Sequence, residues 1–377
     1  MTVQPTAPAE TLPTAAPVPA AAPASTAGAR RRALPVKWLA LAAVLVLAVG
    51  IPFWVGDYWL STFAFVLIAA IGALGLDVLT GRTGQISLGH AFFLAAGAYV
   101  GGYLGTTHHV TAALWIPAAG VTAGVLGFVV GPAALRLRGL YLGIVTIGLV
   151  YVGQYVLVTW VGFSGGPGGR SLPDPTFGSL SFTNGTHVFG HFIDRNGCYY
   201  YAALIVLILG MLYVRNIGRS NLGRSMGAVR DRELAAAVLG VNVARTKLRA
   251  FVVSSVLAGL AGALYGSFLG FVVPQQWGLV LSIQYVVMIV VGGMATLWGP
   301  LLGALFVIGL PALLQHVSST LTFLSNGSNS GVISPADASN IAFGVLLIIF
   351  LVAEPRGLMG LAYRLAARAR RGTARRD

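Results

Sequence analysis

The sequence predicts an all-α fold: a polytopic transmembrane helical bundle of about ten spans, with both termini on the cytoplasmic side. Three observations predict it. Of 377 residues, 56% are hydrophobic and 9% are charged, against about 25% charged in soluble domains. Mean hydropathy is +0.81. The basic residues fall in the gaps between apolar runs rather than along one polar face, which argues against nucleic acid as the partner of the +14 net charge.

Residues 1–34 are expected to form a disordered tail. They are rich in Ala, Pro and Thr, with Glu10 as an isolated acid and no base before Arg30, too little to fold alone. Arg30, Arg31 and Arg32 then precede an apolar run. That pattern also suits a signal peptide, but the long polar lead-in favours a first membrane anchor. The transmembrane domain is expected over 35–360, and 361–377 form a basic cytoplasmic tail. Stretches of the ~20 apolar residues that a spanning helix needs occur at 36–56, 58–79, 86–105, 111–131, 139–161, 198–214, 248–269, 277–295, 298–316 and 338–354. Alternating these spans from a cytoplasmic N-terminus puts 22 of the 24 Lys and Arg inside, leaving Arg170 and Arg195 in the 162–197 loop. This asymmetry is what the positive-inside rule demands of a multi-pass protein of the cell membrane. Cys198 is the single cysteine, which excludes an intrachain disulfide and a cysteine-based metal site.

Small residues recur at spacing four: Gly97, Gly101 and Gly105; Gly262, Gly266 and Gly270; Gly299 and Gly303. They allow close approach of helices in lipid, whether for static packing or for helices that rock. Two stretches, 80-TGRTGQISLGHAFF-93 and 291-VGGMATLWGP-300, break the helical pattern. Gly-interrupted pairs in carriers point to a substrate pathway, so Gly84, Gln85, Ser87, Gly89, His90, Gly292 and Gly293 are its candidate residues. Both breaks fall on the same side, unlike a simple inverted repeat. The polar residues Asp77, Gln154, Ser254, Ser255 and Gln284 also stand out, each readable as an interhelical hydrogen bond. The spans carry no carboxylate series of the kind a proton relay uses. No metal cluster, nucleophile elbow or P-loop occurs; neither Lys37 nor Lys247 follows a glycine. An enzyme is therefore not expected, and 165-GGPGGR-170 reads as a turn.

A charged stretch stands apart. Arg230, Asp231, Arg232 and Glu233 are followed by Leu234, Ala236, Val238, Leu239 and Gly240. Asp231 at the N-cap, Glu233 in the first turn and a Gly240 stop predict a short helix over 231–240. So short a helix does not hold itself in water. It is expected either to pack on its own protein or to fit a partner's groove.

Several stretches resemble the LivM-type permease subunits of ATP-driven importers for branched-chain amino acids: 76-LDVLTGRTGQISLGHAFFLAAGAY-99, 135-LRLRGLYLGIVTIGL-149, 164-SGGPGG-169, 223-GRSMGAVRDRELAAAVLGVNVARTKLRAFVVSSVLAGLAGALYG-266, 292-GGMATLWGPLLGA-304 and 354-EPRGLMG-360. The N-terminal tail and the 318–337 loop depart from that pattern. The resemblance implies a transport subunit with a second, LivH-like permease as its neighbour in the lipid bilayer. It implies two cytoplasmic ATP-binding subunits that hold ATP and Mg, with no cofactor on this chain, and an extracytoplasmic substrate-binding protein. It implies that 230–240 is the coupling helix that meets an ATPase. Importers of urea and short-chain amides have similar permeases, so that substrate class stays open. A secondary carrier or channel that works without ATP is a further reading.

Overall fold

A computed structural model describes residues 47–135, 140–177, 180–183, 185–188, 191–320, 335–354 and 357–364. Most of the first expected span and both terminal tails lie outside these residues. The helical bundle belongs to the unit that begins at Gly50.

The centre of the bundle is α1, Asp57–Leu76, from which 13 residues are buried. Its sequence is apolar on every side, which is the pattern of a helix enclosed by others. It packs against α5 (Arg195–Arg219), α8 (Val243–Leu269), α9 (Leu279–Gly292) and α10 (Gly299–Ala304), while α2 (His90–Thr107) lies against α8. Helix α3 (Ala112–Leu135) packs against α2 and α8, and α4 (Leu140–Thr159) lies against α2 on the far side. The chain further forms α6 (Asn221–Asp231), α7 (Glu233–Val238), α11 (Leu310–Thr320) and α12 (Pro335–Ala353). A wide π-type turn, Leu305–Gly309, joins α10 to α11.

The small-residue spacing is used for backbone contact. A Cβ at Gly97 would overlap the Gly259 carbonyl, and one at Gly262 would overlap the Leu94 carbonyl. The α2 and α8 backbones therefore touch, with dispersion rather than water expulsion holding them. Gly303 and Met288 make the same kind of approach between α10 and α9.

Among the described residues six helices are long and apolar enough to cross a membrane, or seven if Phe343–Ala353 and Gly357–Arg364 form one bent span. Of the ten expected stretches, 36–56 lies mostly outside the described residues, and two others form helices that differ from the expected bounds. Helix α9 has 14 residues, about 21 Å of rise against a hydrocarbon core of ~30 Å. The 86–105 stretch begins its helix only at His90, because Gly84 turns with φ +70° and residues 84–87 run without helix.

The 162–197 segment covers the end of the bundle where α8 stops. Strand β1 (Arg170–Ser171) pairs antiparallel with β6 (Phe271–Val272), and two short hairpins, β2–β3 (Thr176–Phe177, Leu180–Ser181) and β4–β5 (Thr186–Val188, His191–Ile193), fill the rest. The Gly165–Gly169 run is a turn, as expected, with positive φ at Gly165, Gly166 and Gly169. Arg195 clamps the segment. It pairs with Asp174 at 2.8 Å and donates to the Ser267 and Phe268 carbonyls at 3.4 and 3.2 Å, which caps the negative end of α8. The Tyr199 hydroxyl donates to Asp174 at 2.8 Å. Burial alone raises an acid, but the Arg195 and Tyr199 hydrogen bonds outweigh it and hold the Asp174 carboxyl below its ordinary range.

Candidate functional site

The two breaks in the helical pattern meet. At the end of α1 the chain widens into a π turn, Asp77–Gly81, a local form that recurs at functional sites. Asp77 is fully buried and its Oδ1 accepts the Ala295 N–H at 2.6 Å. Ala295 is held there at φ +61°, a region that L-residues seldom occupy. Gly81 is what permits the approach, since a Cβ there would stand 2.7 Å from Ala295 N. Arg82 Nε lies 3.6 Å from Asp77 Oδ2, beyond hydrogen-bond range, so Oδ2 has a cation beside it but no donor. Asp77, singled out in the sequence as readable as an interhelical hydrogen bond, is thus a buried acid at the end of an apolar span. Beside the second break, Gly357 (φ +70°) packs against Gly293, 2.7 Å from its N for a Cβ.

The candidate pathway residues separate into two groups. Gly84 and Gln85 line a cavity of about 190 Å³ together with Val229, Arg230, Glu233 and Lys247. Gln85 is buried; its amide nitrogen donates to Thr83 at 2.9 Å while its oxygen has no partner. Ser87, Gly89 and His90 instead lie in packed contacts. The Ser87 hydroxyl accepts the Gly89 N–H at 3.4 Å, Gly89 abuts Thr146, and His90 is enclosed, its ring tilted at 58° to that of Tyr285 with centroids 5.1 Å apart. Because a carbonyl only accepts, the 2.9 Å contact from His90 Nε2 to Gly72 O makes Nε2 the protonated nitrogen. Gly292 sits directly under Gly299, with no room for a side chain, and Gly293 turns with φ +108°.

The charged stretch forms two helices, not one. Arg230 and Asp231 close α6. Arg232 is extended (φ −154°, ψ 102°) and starts α7 at Glu233. Asp231 is therefore not the N-cap: α6 is entered through Ser220, whose hydroxyl accepts the Gly223 N–H, and its last turn carries through Asp231. The stop at Gly240 is as expected. With φ +84° at Gly240, its N–H reaches Ala237 O and the Val241 N–H reaches Ala236 O, both at 3.0 Å, the paired bonds of a Schellman end. Lys247 Nζ holds Glu233 Oε2 at 2.8 Å and fixes α7 to the start of α8. Ala236 faces inward at 2% exposure, while Leu234, Val238 and Leu239 face outward at 72%, 88% and 82%. Arg230, Asp231 and Arg232 at its base are also exposed. Large apolar side chains and charges thus stand exposed side by side on one short helix and its base. Among the described residues no group of three metal-ligating side chains occurs.

Asp77 and Lys247 escaped the sequence-based choice of site residues. The signal for Asp77 was present: an acid inside a long apolar run, next to Gly81. Lys247 gave no local signal, because its partner lies 14 residues away.

Residues 58–351 match the family described as branched-chain amino acid transport system / permease component. The chain is 33% identical over 336 residues to the high-affinity branched-chain amino acid transport system permease protein LivM of Escherichia coli, covering 85% of this chain and 74% of that protein. The corresponding LivM of Salmonella typhimurium matches to the same extent. A shorter similarity, 34% over 159 residues, relates it to the autoinducer 2 import system permease protein LsrC of Photorhabdus laumondii, covering 41% of this chain and 42% of that one. A family match over most of the chain, in the region that contains both breaks and the exposed apolar tip, means that the chain belongs to the permease components of branched-chain amino acid transport systems.

Proposed function

We propose that this chain is the membrane-spanning subunit of an ATP-driven importer that carries leucine, isoleucine and valine released by an extracytoplasmic binding protein. In this reading it lines one pathway with a second, LivH-like permease. Two ATP-binding subunits, which hold ATP and Mg, dock on the cytoplasmic face, where both termini of this chain also lie. The chain itself binds no nucleotide and hydrolyses none. The observation that supports the reading is α7: a rigidly closed, six-residue helix with three large apolar side chains directed outward and its base pinned by the Glu233–Lys247 pair. An apolar helix tip over a charged base suits a helix-in-groove contact. ATP acts on the permease only through a difference in affinity between its access states, and a pinned tip passes that difference inward.

The testing experiment is leucine uptake in cells that carry the whole system, with and without this chain, with excess valine or urea as competitor. Chain-dependent uptake that valine blocks and urea does not supports the reading. Absence of chain-dependent leucine uptake moves the substrate to urea, a short-chain amide or another small solute. Uptake that persists without ATP-binding subunits moves the protein to the carriers or channels.

A further inference from the structure

A groove of about 520 Å³ opens between α3, α5 and α8. Its walls carry Val121 of α3, Leu209 and Tyr213 of α5, and Val252, Val256 and Leu260 of α8, and the lining is apolar apart from the Tyr213 hydroxyl. Val121, Leu209 and Tyr213 are exposed. Val252 and Leu260 stand about 12 Å apart along α8, close to the ~15 Å of hydrocarbon in one leaflet. Helices α5 and α8 touch each other at few points, so little of the protein itself fills the space between them.

The mouth of the groove is basic. Arg245, Arg249, Val252, Val256 and Leu260 follow one another at spacings of four and three, so they share one face of α8. The stripe that lines the groove therefore continues into two guanidinium groups, the nearer about 4.5 Å along the helix from Val252. Both arginines are exposed, and among the described residues neither guanidinium is in an ion pair. Arg245 also lies in the first turn of α8, where the helix dipole adds positive potential.

We propose that the groove binds one anionic phospholipid, with an acyl chain along residues 252–260 of α8 and the phosphate at Arg249 and Arg245. Basic residues beside an apolar seam between spanning helices attract anionic headgroups; a zwitterionic lipid supplies the chain without the net charge. The lipid bridges α5 and α8, the helices that lead into α6 and out of α7, and braces both ends of that pair. The site does not depend on what docks on α7.

The test uses the purified full-length chain with phosphatidylglycerol and phosphatidylcholine as probes. Native mass spectrometry reads bound lipid, and the melting temperature reads its effect. Phosphatidylglycerol should bind and raise the melting temperature, and phosphatidylcholine should do neither at the same concentration. Arg245→Gln combined with Arg249→Gln should weaken phosphatidylglycerol binding about thirtyfold, at roughly fivefold per cation lost near an anionic headgroup, while the melting temperature in detergent alone stays as in wild type. Leu209→Trp, at an exposed wall, should crowd the acyl chain and weaken binding with both arginines in place. Equal binding of the two lipids, or unchanged affinity in either variant, overturns the site. A photoreactive benzophenone placed at Leu209 identifies the occupant in native membranes. An adduct of phospholipid mass is expected; an adduct to another subunit or to a second copy of this chain overturns lipid as the occupant.

Discussion

Glu233→Lys removes the pin that holds the exposed tip. Lys247 Nζ lies 2.8 Å from Glu233 Oε2, with side-chain exposures of 9% and 31%. Breaking a well-buried pair costs about 3–5 kcal/mol because a charge is left uncompensated, whereas an exposed pair contributes about 0.2–1 kcal/mol. With one partner buried and the other a third exposed, about 2 kcal/mol is the reasonable middle, and the second ammonium adds repulsion. At 1.36 kcal/mol per tenfold, the pinned pose of α7 loses roughly thirtyfold in occupancy. The rest of the bundle is untouched, because α7 makes few contacts beyond α6 and α8. The assay is leucine uptake and ATP hydrolysis in vesicles that contain the whole transporter, normalised to the amount of chain in the membrane. Uptake should fall by about tenfold or more at normal membrane levels, with Glu233→Gln in between. Uptake close to wild type in a well-inserted Glu233→Lys protein would refute the role of α7.

Ala236→Trp forces a large ring into a site with 2% exposure; overpacking costs about 1–3 kcal/mol, and uptake should be lost while the chain still reaches the membrane, as measured by membrane-fraction blotting. Gly262→Val places a branched side chain against the Leu94 carbonyl backbone, so the α2–α8 contact opens and the melting temperature of the purified protein should drop markedly. Asp174→Asn tests the clamp at the other end. Its folded pKa is depressed, so its stabilisation is present above the unfolded value of about 3.9 and disappears as pH falls through the folded pKa. The variant should melt below wild type at neutral pH, and the gap should close only in strong acid. Deleting residues 2–28, expected from composition to be a passive tail, should leave leucine uptake within about twofold of wild type.

Much of the helical layout was legible because it is written in composition. The apolar runs from 58 to 79 and from 248 to 269 became α1 and α8 within a few residues. Gly97 and Gly262 announced close packing, since no side chain with a Cβ fits where two backbones touch. The α7 stop was readable at Gly240 because a left-handed end favours glycine. Its start was not. Asp231 had the chemistry of an N-cap, but α6 already claimed it, and the chain broke at Arg232 instead. Helix starts were less legible for a similar reason: apolar composition does not say where a helix begins, so the helix expected from residue 86 starts at His90 and α9 has 14 residues.

The sequence by itself determined that this chain is a many-helix membrane protein, that its bases gather in the gaps between apolar runs, and that a charged stretch closes a short helix at Gly240. These properties depend on local composition and on neighbours within a turn or two. Only the tertiary structure decided that the breaks at 80–93 and 291–300 meet through Asp77 and Ala295, 218 residues apart. It alone set Lys247 against Glu233 and turned Leu234, Val238 and Leu239 outward. Contacts at such separations depend on how whole helices pack, and the residues that make them carry no mark of their partners in the chain around them.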